Sequence, residues 1–139
     1  MPGKTHVIVK VSSKGGKLLC NPDWVHLFWK KGPADIRWVF GKMPGEASRA
    51  VVEFHEKAPA KYAKKAKSGG KFRSRGVHLG AGHAETSGRS HLPDIVTSGN
   101  IRKAGYFTYD IKILDKKGAV IAQADPGGDN NSGSGGGGG

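Results

Sequence analysis

A glycine-rich stretch, residues 76–91, carries the side chains best suited to holding a metal ion. It contains three imidazoles, His78, His83 and His91, together with the carboxylate of Glu85. Imidazoles and carboxylates are ligands that zinc accepts. The histidines are spaced by five and by eight positions, which matches no defined zinc motif, and polar loops also collect histidine without binding anything. A metal site on these three histidines is therefore the third of three functional hypotheses.

The most strongly charged part of the chain is the basic segment, residues 57–75, which has eight cations and no acid. The chain has a net charge of +12, so this segment could account for two-thirds of the excess. Such cations bind nucleic-acid phosphates without reading sequence, and the rings of Tyr62 and Phe72 could stack on bases. No RNP, OB, KH or helix-turn-helix signature accompanies the charge. The cations are Lys57, Lys61, Lys64, Lys65, Lys67, Lys71, Arg73 and Arg75.

Signatures of catalysis and of nucleotide binding are missing from the sequence. The glycines near residue 80 are not followed by the Gly-Lys-Ser/Thr of a P-loop, and the Rossmann pattern is absent. No nucleophile elbow surrounds a serine or the single cysteine. That cysteine, Cys20, follows Leu18 and Leu19, which is typical of a small buried hydrophobe. The sequence predicts neither an enzyme nor a cofactor.

Period-two hydrophobicity predicts strands at both ends of the chain. Segments 6–11, 24–29, 35–40, 49–55, 106–114 and 119–124 alternate or are rich in β-branched and aromatic residues. Residues 125–128 are expected to end the last strand, and the three tryptophans are expected to pack in the core rather than to bind carbohydrate. The predicted core residues are Val7, Val9, Val11, Val25, Leu27, Trp38, Phe40, Val52, Phe54, Tyr109, Ile111, Ile113 and Val120.

The middle of the chain, residues 56–100, has a different composition. Gly, Ser, His and Arg dominate it, and the run 59–67, although rich in Ala and Lys, is too short for a stable isolated helix. A connection of this length is functional, disordered or contains elements that the pattern does not reveal. We predict one domain, residues 1–131, with 56–100 as a long basic insertion, followed by a flexible Ser/Gly tail at 132–139.

Two parts of the chain carry a family resemblance. The run Ile36–Phe40, following Asp23–Leu27, resembles the opening of cupredoxin-like sandwiches. The ending, from Gly105 through Gly118 to Asp125-Pro126, resembles small uncharacterised bacterial β-sandwich proteins that close with an aromatic strand, a glycine turn and an Asp-Pro pair. The resemblance implies a fold and no activity.

Blue copper is excluded by residue type. Such a site needs a thiolate and an imidazole near the last strand pair. Here the only cysteine is Cys20, and neither Cys nor His occurs after His91.

These observations predict an all-β, immunoglobulin-like or cupredoxin-like sandwich of six to eight strands. The first functional hypothesis is a non-enzymatic interaction or structural module that binds a protein partner or self-associates, and the second is polyanion binding by the basic segment. One cysteine cannot form an internal disulfide, the first residues are not expected to be a signal peptide, and no apolar run of about 18 residues occurs. We therefore expect a cytoplasmic protein with no membrane contact.

Overall fold

The chain is an all-β protein. The computed structural model describes residues 6–57, 59–62, 71–72, 78–80, 83–85, 92–100 and 102–132. Apart from one 3-10 turn, Ala60–Tyr62, the regular elements of these residues are strands. The strands are β1 His6–Lys14, β2 Lys17–Asn21, β3 Trp24–Phe28, β4 Asp35–Phe40, β5 Arg49–Phe54, β6 His78–Gly80, β7 His83–Glu85, β8 Ile95–Val96, β9 Ser98–Asn100, β10 Gly105–Leu114, β11 Val120–Ala124 and β12 Gly127–Asn131.

Ten of these strands form one mixed sheet, while β6 and β9 pair with each other separately. The main order is β3, β12, β10, β11, β2, β1, β4, β8, and β5 and β7 extend from β10. Strand β10 has several partners because its two halves pair differently. Its first half, residues 105–108, pairs with β12, and its second half lies between β5 and β11.

Two neighbouring stretches of the sheet are each interrupted at a proline. Strands β2 and β3 are separated by Pro22, and β11 and β12 by Pro126. The two stretches run parallel, with Gln123 opposite Lys17 before the interruptions and Gly127 opposite Trp24 after them. Proline lacks the N–H that a sheet ladder needs, so the ladder breaks there and resumes beyond.

The buried hydrophobic side chains of the described residues form one core on one side of the sheet. Alternate residues of β4 and β10 face it, and Trp38 of β4 meets Tyr109 of β10 with ring centroids 5.2 Å apart. Because these strands are separated in the sheet by β11, β2 and β1, the sheet must fold back on itself to bring them together. Burial of the apolar faces stabilises this arrangement.

The strand prediction is confirmed at both ends of the chain, but the predicted count of six to eight is wrong. Twelve strands occur among the described residues, and four of them, β6 to β9, lie within the stretch expected to be an irregular insertion. These strands have two or three residues each. A pattern of two residues cannot show a period, so only pairing with neighbours defines them.

The last strand, β12, begins within residues 125–128, which were predicted to end the preceding strand and not to form another. Its sequence, Gly-Gly-Asp-Asn-Asn, has low strand propensity. Glycine is required because a Cβ on Gly127 would lie 2.5 Å from the carbonyl oxygen of Phe107 and 2.8 Å from the Trp24 ring. A Cβ on Gly128 would also collide with Val25. The strand therefore forms because neighbouring strands pack closely against it, and not because of its own strand propensity.

The predicted core is largely confirmed, with two corrections. Val120 is 48% exposed, because a bulge between Ile113 and Leu114 places it opposite the outward-facing Leu114. Trp24 is only half-buried and lies on the outer face, whereas Trp38 is in the core. Val7 and Phe54 are partly buried against the core. The core also contains residues that were not predicted, namely Leu18, Ile36, Ala50, Leu92, Ile95, Phe107 and Ala122.

Within the described part of the chain, helical structure never reaches the length and apolarity that a membrane crossing requires.

Candidate functional site

The first half of β10 is buried on both faces, which marks it as the centre of a second layer of side chains. Residues 105–109 are all buried, although only alternate ones can face the core. Tyr106 and Thr108 lie on the outer face, and neighbouring strands cover them there. We call this group the outer-face cluster; it consists of Trp24, His55, Phe72, Tyr106, Thr108, Asp110 and Asp129.

The aromatic part of the outer-face cluster is centred on Tyr106. Its ring stacks with Trp24 at a centroid distance of 6.4 Å and meets Phe72 edge-on at 5.2 Å. The indole Nε1 of Trp24 donates a 2.8 Å hydrogen bond to Asp129. The same carboxylate contacts His26, whose Nδ1 lies 2.9 Å from Asp129 Oδ2. The Tyr106 hydroxyl itself is buried, and no described residue forms a hydrogen bond with it.

The polar part of the cluster is a hydroxyl–imidazole–carboxylate series. His55 Nδ1 lies 2.6 Å from Thr108 Oγ1, and His55 Nε2 lies 3.0 Å from Asp110 Oδ1. A proton on Nε2 would face the carboxylate and leave Nδ1 to accept the hydroxyl proton of Thr108. The same three groups activate nucleophiles in hydrolases. Thr108, however, is fully buried, so its oxygen is not exposed to solvent, and the series links the end of β5 to β10.

Sequence reasoning missed His55 and its partners. The sequence offers one weak signal, which is alternation along β10: it places Thr108 and Asp110 on the same, outward side of that strand. His55 comes directly after β5. The pairing of β5 with β10, which the sequence does not specify, is what brings the three together.

The chain is attached beside the outer-face cluster at two points, one just before the basic segment and one within it. Before the segment, the His55 N–H donates a 3.0 Å hydrogen bond to the Thr108 carbonyl, two residues before Lys57. Within the segment, the Tyr106 N–H donates a 2.8 Å hydrogen bond to the Lys71 carbonyl, and Phe72 forms a β-bridge with Tyr106. The two attachments use the same edge of β10 and are two residues apart.

Comparisons with known proteins identify no relative. No family model, no curated protein and no solved structure matches this chain.

The predicted polyanion-binding cations fall partly within the described residues. Lys57 and Lys71 are exposed. Lys61 is also exposed, and its Nζ lies 2.6 Å from Asp125 Oδ1. The other five cations, Lys64, Lys65, Lys67, Arg73 and Arg75, lie outside the described residues.

The predicted metal-binding histidines are only partly described. The backbone of His78 pairs with Asn100 in the small sheet, while that of His83 pairs with Val51 at the edge of the large one. His91 lies outside the described residues. In the part of the chain that the structure describes, no group of three metal-ligating side chains occurs. The histidine site stays a prediction.

A cleft of about 300 Å³ opens where the two parallel stretches are interrupted. The side chains around it include Cys20, Asp23, Lys61 and Asp125. Burial, followed by the charge of Asp23, raises the pKa of the Cys20 thiol to about 11. The thiol therefore stays protonated at neutral pH, which makes it a poor nucleophile and a poor metal ligand.

Proposed function

We propose that this protein is a non-catalytic module that binds polyanions, above all the phosphate backbone of nucleic acids, through the basic segment. The observation that supports this proposal is the attachment of the chain to one edge of β10 at two points, just before the segment and at Lys71–Phe72 within it. Lys57 and Lys71 are therefore held beside the same part of the sheet. Binding then loses less conformational entropy than it would on a free tail.

The charge of the segment favours a polymeric anion. Lys57 and Lys71 extend into solvent at the two attachments, and the sequence between them adds cations without an acid. Lysines and arginines that neutralise phosphates release counterions, so affinity falls steeply with salt. Phe72 already packs against Tyr106, and we therefore expect charge, rather than base stacking, to supply most of the affinity.

The test is a titration of labelled duplex and single-stranded DNA at low and moderate salt. The triple variant Lys64→Gln, Lys65→Gln, Arg73→Gln should make the slope of log affinity against log salt shallower by about 3, close to one for each phosphate that the variant no longer neutralises. The control is Lys10→Gln, Lys30→Gln, Lys31→Gln, three exposed lysines elsewhere that remove the same charge. Equal effects of both triples would contradict the proposal, as would absence of binding at low salt.

The other functional hypotheses remain separate predictions. Binding of a protein partner, or self-association, predicts a molar mass that rises with concentration in light scattering. A strict monomer would count against self-association. Zinc binding by His78, His83 and His91 predicts stoichiometric metal in elemental analysis of the purified protein.

We also infer that the folded-back sheet is an immunoglobulin-like or cupredoxin-like sandwich. The support is that β4 and β10 face each other across one core although three strands separate them in the sheet. An experimental structure tests this inference: two facing layers with strand connections of that kind are expected, and a closed barrel would contradict it.

A further inference from the structure

Three separate connections of the chain meet at one end of the sheet. They are the β1–β2 turn, the β4–β5 connection and the β10–β11 turn. The Ser13 N–H donates to the Lys42 carbonyl at 3.4 Å, which joins the first two, and the Ser48 N–H donates to the Leu114 carbonyl at 2.8 Å, which joins the second and third. Parallel pairing of β2 with β11 places the first and third at the same end.

Each of these connections carries or is flanked by at least one exposed lysine. We call the group the turn-end surface; it consists of Lys14, Lys17, Lys42, Lys116 and Lys117, all of them exposed. The acids of the same connections are Glu46 and Asp115. Asp115 Oδ1 accepts hydrogen bonds from the Lys117 and Ala119 N–H groups, both at 2.9 Å. That carboxylate therefore stabilises the backbone of the tight turn that carries Lys116 and Lys117.

Two of the lysines oppose each other directly. Lys14 pairs with Lys17 across a two-residue turn in which Gly15 and Gly16 have φ of 59° and 80°. Like charges placed opposite each other on neighbouring strands repel. An anion that approaches both side chains would relieve this repulsion.

We propose that the turn-end surface is a second polyanion-binding surface, suited to the phosphate backbone of a nucleic-acid duplex. The lysines lie where five consecutive neighbours, the strands β10, β11, β2, β1 and β4, begin or end, and they outnumber the two acids of the same connections. Lysine ammonium groups suit a row of phosphates because they are point charges without a fixed fork geometry.

The turn-end surface is distinct from the basic segment. Lys71 lies beside Tyr106, whereas the β10–β11 turn follows Leu114, eight residues further along β10. Eight residues of strand span about 27 Å. An anionic membrane is a less suitable partner, because membrane-surface binding needs an apolar face, and the exposed large apolar side chains described near this end are the separate Leu19 and Val120.

The experiment uses a labelled duplex of about 12 base pairs, with salt varied from about 50 to 200 mM. The variant Lys14→Gln, Lys17→Gln, Lys116→Gln should make the salt slope shallower by about 3. The Lys10, Lys30, Lys31 triple is again the control with equal charge. Neutralising both the turn-end surface and the basic segment should abolish binding.

The outcomes separate this proposal from the proposed function. Loss of binding in the turn-end variant alone supports the turn-end surface even if the basic segment proves silent. Equal binding by the turn-end variant and its control overturns it. A turn-end variant that loses binding to anionic vesicles but keeps its affinity for duplex also overturns it. A thermal melt of each variant shows that the substitutions leave the fold intact.

Discussion

The indole Nε1 of Trp38 donates a 3.1 Å hydrogen bond to the hydroxyl of Tyr109 inside the core. Both residues are fully buried, and their rings meet at 70°. The bond joins β4 to β10, strands that belong to distant parts of the sequence and are not neighbours in the sheet. It therefore satisfies two buried polar groups and ties the folded-back parts of the sheet together.

Removing the Tyr109 hydroxyl should destabilise the protein. Tyr109→Phe leaves the buried Trp38 N–H without this acceptor, and an unsatisfied buried donor costs about 1–3 kcal/mol. Tyr106→Phe is the matched control, because the Tyr106 hydroxyl is buried and has no hydrogen-bond partner in the described part of the chain. Its removal should leave the free energy of unfolding unchanged or raise it. Chemical denaturation of both variants checks this, and equal losses would contradict the assigned bond.

Adding a methyl group to either glycine of β12 should be costly. At Gly127 the new Cβ would lie 2.5 Å from a backbone oxygen and 2.8 Å from the Trp24 ring. Overpacking of this kind costs about 1–3 kcal/mol, and more where backbone must move. Gly45→Ala is the control, since nothing lies within 4 Å of its added Cβ. The melting temperature should fall for Gly127→Ala and Gly128→Ala but not for Gly45→Ala.

The Cys20 thiol should react slowly in the folded protein and make stability depend on alkaline pH. Its pKa is raised from 9.0 to about 11, so about one molecule in a thousand is thiolate at pH 8. The unfolded state loses this proton first. The stabilising contribution is therefore complete below pH 9 and is lost as pH rises towards 11. Alkylation rates, and denaturation from pH 8 to 11 compared with Cys20→Ala, measure both effects; a fast-reacting thiol would refute the shift.

Reversing one charge of the Lys14–Lys17 pair should stabilise the protein. Lys17→Glu replaces repulsion across the turn with attraction, worth about 0.2–1 kcal/mol. Lys10→Glu provides the comparison, because Lys10 opposes the neutral Asn21. Thermal melts at low salt should show the gain for Lys17→Glu only, and high salt should reduce it. No gain at low salt would show that the two ammonium groups do not interact.

The sequence alone predicted the strands whose side chains alternate. The run from Tyr106 to Leu114 is an example, because its apolar residues recur at period two and the structure has a strand there. The same reasoning missed β12, because a strand of glycine and asparagine has no pattern. It also placed Trp24 in the core, since alternation gives two faces and does not say which of them a neighbouring strand will cover.

The positive charges also fall into one group that the sequence reveals and one that only the structure reveals. The basic segment is visible in the sequence because its eight cations lie close together along the chain. The lysines of the turn-end surface are spread from residue 14 to residue 117, and only the pairing of strands gathers them at one end of the sheet.

Composition and alternation thus determined that this chain forms β-strands and where its longest run of positive charge lies, because both are local properties. Only the tertiary structure decided that His55 contacts Thr108 and Asp110 and that Trp38 contacts Tyr109. It also decided that three connections between strands lie at the same end of the sheet. Such contacts depend on which strands pair and in what register, and burial across the whole sheet, rather than any single segment, selects that pairing.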